Sequence, residues 1–191
     1  MTAMRPAIVV SSVAVAVAIA WLLFVGLPRW YQPQPGDMSV TAEPAGSETP
    51  SPKIKARLFF VAADGGSLTS VEQDVPFAES PVEQAREIVR AQLAPPAPPL
   101  VSAVPEGTTV RALFLTPRGE AYVDLSREVR IAHRGGTVYE LLTIYTIVHA
   151  LTANLPAVTS VQLLVDGKEV ETLAGHVNLQ RPLTQNLDWV Q

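Results

Sequence analysis

Residues 119–129 read GEAYVDLSREV, and the fold turns on how they are read. Gly119 suits a tight turn, and the residues after it alternate. Ala121, Val123 and Leu125 form one set, Tyr122, Asp124 and Ser126 the other, which predicts a strand with the first set inward. The strand ends in Asp124 and Ser126, an acid and a hydroxyl that could belong to a catalytic corner. With His133 or His149 they would make a hydrolase triad on paper. Yet no G-x-S-x-G elbow surrounds Ser126 and no Gly-rich oxyanion segment stands beside it. Asp and Ser at a strand exit also bond nearby backbone amides. We therefore read the stretch as a strand end and assign no catalytic residue.

Working outward, Thr108 to Leu115 predicts the strand that Pro117-Arg118-Gly119 turns back into 121–125. Downstream, Gly135-Gly136 precedes Thr137-Val138-Tyr139-Glu140, a capping-box pattern. The helix that follows carries Val138, Leu141, Leu142, Tyr145, Val148 and Leu151 as a core stripe, broadened by Tyr139 and Ile144, and ends at Asn154-Leu155-Pro156. Val161 to Val165, Asp166-Gly167 and Lys168 to Leu173 predict a hairpin, because Asp-Gly suits a type I′ turn. Upstream, Arg57 to Ala62 and Leu68 to Val75 flank the turn residues Asp64-Gly65-Gly66-Ser67. Ser80-Pro81-Val82-Glu83 opens an earlier helix whose apolar positions are Val82, Ala85, Ile88, Val89 and Leu93. Pro95-Pro96 must stop it. The order is ββαββαββ: an α+β domain over residues 54–183, with a largely antiparallel sheet of three hairpins and two helices on one face. Residues 184–191 are read as a C-terminal tail.

Ahead of the domain lies a different kind of sequence. Ala7–Leu27, AIVVSSVAVAVAIAWLLFVGL, has no charge and is long enough to cross a hydrocarbon core of about 30 Å. Pro6 and Pro28 bracket it, and Trp21 and Trp30 lie toward one interface. It is too long for a signal-peptide core and lacks an A-x-A site, so we read residues 1–29 as a cytoplasmic tail and transmembrane helix. That arrangement puts the domain outside the cytoplasm, on the cell membrane. Residues 30–53 are rich in Pro, Ser and Glu and read as a disordered linker that holds the domain off the bilayer.

Composition narrows the chemistry further. The net charge is −4 and the basic residues are scattered, which argues against a nucleic-acid partner. Cysteine is absent, which excludes disulfides, thiolate zinc sites and a lipidated cysteine. His133, His149 and His176 lack metal-binding spacing, so no metal or cofactor is expected. Gly65-Gly66 and Gly135-Gly136 continue into no phosphate-binding fingerprint. Asp64, Asp166, Glu169 and Glu171 read as a solvated face.

Taken together, the landmarks resemble those of a family. ARLFFV (56–61) and SPVEQAREIVRAQL (80–93) come first, then Ser102, Pro105, Gly107, Thr108 and Val110 in an S-x-x-P-x-G-T-x-V pattern. AYVDLS (121–126), TVYELLTIYTIVHALTANLPAV (137–158) and VQLLVDGKEVETLAGHVNL (161–179) follow. From about Lys55 to Leu183 this run resembles the GerMN domain, the module of sporulation and spore germination. Departures include Ala94-Pro95 for Gly-Pro, His149-Ala150 for an Asn-containing pair, and Asn178 for an acidic residue. The resemblance implies a non-enzymatic domain of the bacterial cell envelope that takes part in assemblies, with envelope proteins or with itself. A binding module for a small envelope ligand, such as a peptidoglycan fragment, is the alternative expectation.

Overall fold

The computed structural model describes residues 52–191. The expected membrane segment Ala7–Leu27 and the linker up to residue 51 lie outside the described residues. Lys53, expected as the linker's last residue, is the first residue of β1. Among the described residues no helix is long and apolar enough to cross a membrane.

Strands β1 (Lys53–Val61) and β2 (Leu68–Pro76) pair antiparallel from Val61↔Leu68 to Lys53↔Pro76. Asp64 shapes their turn, its Oδ1 accepting the N–H groups of Gly66 and Ser67 at 3.0 and 3.2 Å. Ala56, Leu58 and Phe60 alternate into the core, while Lys55 faces Asp74 across the ladder at 2.6 Å.

Helix α1 (Pro81–Leu93) starts on its proline, as expected, but Ser80 makes no side-chain cap. Glu83 reaches forward to Arg86 at 2.9 Å instead of back to the cap, so the predicted capping box does not form. The buried face of α1 contains two glutamines, Gln84 and Gln92, as well as Ala85, Ile88 and Val89.

Strands β3 (Val110–Leu115) and β4 (Glu120–Leu125) pair antiparallel, with an irregularity between Val110 and Ala112. Gly119 holds their turn at φ +84°, and a Cβ there would lie 2.6 Å from the Ala157 carbonyl oxygen. Only glycine combines that left-handed backbone with so close an approach. Short helix α2 (Glu128–Ile131) and long helix α3 (Thr137–Asn154) then carry the chain to β5 (Ser160–Val165). A crossover of that length permits parallel pairing, and β4 and β5 are parallel from Glu120↔Ser160 to Leu125↔Val165.

The architecture differs from the expected single sheet of three hairpins with two helices on one face. There are two sheets: β1–β2, and a five-stranded sheet in the order β3-β4-β5-β6, where β6 is Lys168–Glu169 and β7 (Leu183–Thr184) also pairs with β5. The third hairpin keeps its Asp166-Gly167 turn, with φ of 51° and 74°, but β6 is only Lys168–Glu169. The physical reason lies in α3, which is apolar on more than one side. Leu142 and Ala150 pack in the cluster of the β1–β2 hairpin, whereas Ile144, Ile147, Val148 and Leu151 pack in that of the larger sheet. A helix buried on opposite faces needs a layer on each side. The expected stripe is accordingly displaced: Val138 and Tyr139 are exposed, and Ile147 and Ala150 take buried positions.

Residues 184–191 pack onto the domain. The Gln191 N–H donates to the Leu68 carbonyl at 2.9 Å, and Trp189 and Val190 lie against the hairpin's apolar cluster.

Candidate functional site

The strand end at Asp124 and Ser126 is built from backbone bonds. Asp124, buried although it lies on the outer face, accepts the Gly167 N–H at 2.7 Å. Arg111 stands 3.4 Å from the other Asp124 oxygen and 2.5 Å from Asp166. Asp124 and Arg111 thereby join the end of β4 to the β5–β6 turn. Ser126 bonds Thr109 twice, its N–H donating to the Thr109 carbonyl at 2.9 Å and its Oγ accepting the Thr109 N–H at 3.0 Å. Its hydroxyl also holds the Glu128 carboxyl below the usual carboxylate range.

The histidines proposed as triad partners are engaged elsewhere. His133 Nδ1 accepts the Gly135 N–H at 2.9 Å, and its Nε2 lies 3.2 Å from Thr143 Oγ1. The Thr143 hydroxyl has its own acceptors in the carbonyls of Ala103 and Tyr139, so Nε2 carries the hydrogen. His149 is fully buried. Its Nε2 meets the Asn186 carbonyl at 2.9 Å, and its ring lies against Phe59 and Tyr145, with centroids 5.2 and 5.6 Å away. Burial lowers the pKa of both histidines. Neither bonds Asp124 or Ser126, so the corner brings an acid and a hydroxyl close in sequence without a base. The glycine pairs are also engaged: Gly66 donates to Asp64, and Gly135 to His133. Among the described residues no group of three or more His, Asp or Glu side chains is placed to hold a metal ion.

The polar residue that organises most backbone is Glu140, whose place in the sequence marks only a helix cap. Glu140 is fully buried, and its Oε1 accepts the N–H groups of Leu173 and Ala174 at 2.8 and 2.9 Å. Its Oε2 accepts the His176 N–H at 2.8 Å and faces His176 Nδ1 at 3.2 Å. Burial pushes this carboxyl up, but the N–H groups of Ala174, His176, Leu173 and Val177 outweigh it and hold the pKa below the ordinary value. The clamp gathers the chain after β6 over the start of α3. No local pattern in the sequence marks a contact spanning 33 to 36 residues.

With this geometry in view, the comparisons identify the domain. Residues 57–171 match the family described as Germane, sporulation and spore germination, and the chain belongs to that family. The tandem GerMN domains of the sporulation protein GerM from Bacillus subtilis superpose with a TM-score of 0.54 at 17% identity, covering 70% of this chain and 46% of that one. A candidate lipoprotein from Clostridium perfringens gives a TM-score of 0.50 at 19% identity, covering 69% of this chain and 87% of the other. At such identities the likeness is one of fold. No curated protein sequence matches this chain.

Proposed function

We propose that this chain is a cell-envelope protein whose GerMN-related domain acts by associating with other proteins or with copies of itself, without catalysis. The observation that carries the reading is the outer edge of β3. β3 ends the order of the five-stranded sheet, so among the described residues no strand pairs with its far side. Phe114 on this strand is 60% exposed, opposite Tyr122 of β4. An unpaired edge carrying a large apolar side chain is a template for association. The apolar segment Ala7–Leu27 would hold the domain at the membrane, which the likeness to a candidate lipoprotein supports.

Sedimentation of the full chain in detergent, together with crosslinking in membranes, tests the association. A complex should form and weaken about tenfold in Phe114→Lys, as loss of a central apolar contact does. A chain that stays monomeric at high concentration and crosslinks to nothing would sink the reading. Failure of alkaline washing to release the protein from membranes checks the anchor.

A further inference from the structure

Beyond the end of the parallel pair β4–β5 the surface opens into a groove of about 660 Å³, a size suited to a small ligand. Val165, Val170 and Leu173 line it with apolar surface, and Ile131, 70% exposed, forms one wall. Arg127 and Arg130 from α2 and Lys168 from β6 stand around it.

These cations are weakly engaged. Arg130 makes one long donation, 3.4 Å from Nε to the Leu173 carbonyl, and Arg127 lies 3.6 Å from Glu128. Lys168 has no carboxylate within 4.0 Å among the described residues. Of the two acids that line the groove, Asp166 is held by Arg111, which leaves Glu169 as the opposing charge. The groove therefore presents an excess of positive charge over an apolar floor. An anion with an apolar body complements it.

The edge of β6 narrows the choice. Val165↔Lys168 flanks the two-residue turn and Leu164↔Glu169 follows. In such a hairpin the pair beside the turn shares both hydrogen bonds, so the next residue turns its N–H and C=O away from the partner strand. Glu169 thus turns a pair of peptide groups to the outer edge of β6, beside the groove. An extended L-peptide can use that pair, lay small side chains on the apolar floor and bring a terminal carboxylate to the cations.

We infer that the groove between α2 and β6 binds the C-terminal carboxylate end of an extended L-peptide with small apolar side chains. This site goes beyond association through β3, and none of its lining residues lies on that strand. Fluorescence anisotropy on the full chain in detergent tests it, with fluorescein-labelled tri-L-alanine carrying a free carboxylate as the probe. Saturable binding is expected, weakened about tenfold or more when the probe ends in an amide. Arg130→Gln and Lys168→Gln should each weaken it about tenfold, while Glu169→Gln should strengthen it, all with unchanged melting temperatures. Arg130→Gln should still sediment as the parent does, so loss of this site and loss of β3 association are told apart. Three results would overturn the inference: no binding at millimolar probe, equal binding of acid and amide, or binding only of a D-alanyl-D-alanine-terminated probe.

Discussion

The β1–β2 hairpin joins two nine-residue strands, whereas the main strands of the five-stranded sheet have six residues each, yet it is the longer hairpin that side chains fasten along its edge. On the free side of β1, the Arg57 N–H donates to Asn154 Oδ1 and Asn154 Nδ2 donates to the Arg57 carbonyl, both at 2.8 Å. Gln92 does the same at Phe59, accepting and donating at 2.8 Å. The Val61 N–H then meets the Val101 carbonyl at 2.9 Å. Two side-chain amides stand where a neighbouring strand would, which closes β1 to further pairing. A third, Gln84, accepts from the Ala78 N–H and donates to the Pro76 carbonyl at the far end of β2. The larger sheet instead relies on its own ladders and on two buried carboxylates, Asp124 at the β5–β6 turn and Glu140 at the return loop. The hairpin should therefore depend on single amides, and the return loop of the larger sheet on a single charge, Glu140.

The largest expected effect breaks the larger sheet's side of that contrast. Glu140→Ala leaves the Leu173, Ala174 and His176 N–H groups without their acceptor, a loss of roughly 3–5 kcal/mol. Denaturant unfolding measures it, and faster amide exchange at residues 173–176 should accompany it. Gln92→Ala attacks the hairpin by removing both partners of the buried Phe59 peptide groups, costing about 2–3 kcal/mol. Asn154→Ala, at a more exposed point of the same edge, should cost about 1 kcal/mol. Equal losses at the two positions would mean that burial does not set the strength of this edge.

The smallest effect is a pH dependence. The folded pKa of His149 is lowered by burial, so the unfolded chain takes up the proton first, near pH 6.5. Stability that is complete above that pH declines as pH falls toward the folded value. His133 shifts the same way, and the contribution of Glu140, present above about pH 4.5, is lost further down as pH falls through its depressed folded pKa. Melting temperatures should fall from pH 7 to pH 5. His149→Gln, which keeps a donor for the Asn186 carbonyl, should flatten that slope while the hairpin stays attached.

Much of this molecule is legible in its residues. Pro81 opening α1, the Asp166-Gly167 turn and the alternation of 121–125 follow from local stereochemistry, and the structure keeps each. Neither capping box forms: Glu83 pairs with the half-buried Arg86, and Gly136 instead of Thr137 stands at the N-cap of α3 while Glu140 turns to buried N–H groups. The parallel pairing of β4 with β5 was also hidden, since strand direction follows from where a crossover packs.

What the sequence determined by itself is the order of the main strands and of α1 and α3, though not α2 or β7, and the turn and alternation of GEAYVDLSREV. Dihedral preferences and short hydrogen bonds act within a few residues, so a linear reading reaches them. Only the tertiary structure decided that α3 lies between two sheets, that amides close the edge of β1, and that Glu140 holds a loop more than thirty residues away. These choices rest on which buried donors and acceptors remain unmet once the core has formed, and on the free energy of leaving them unpaired.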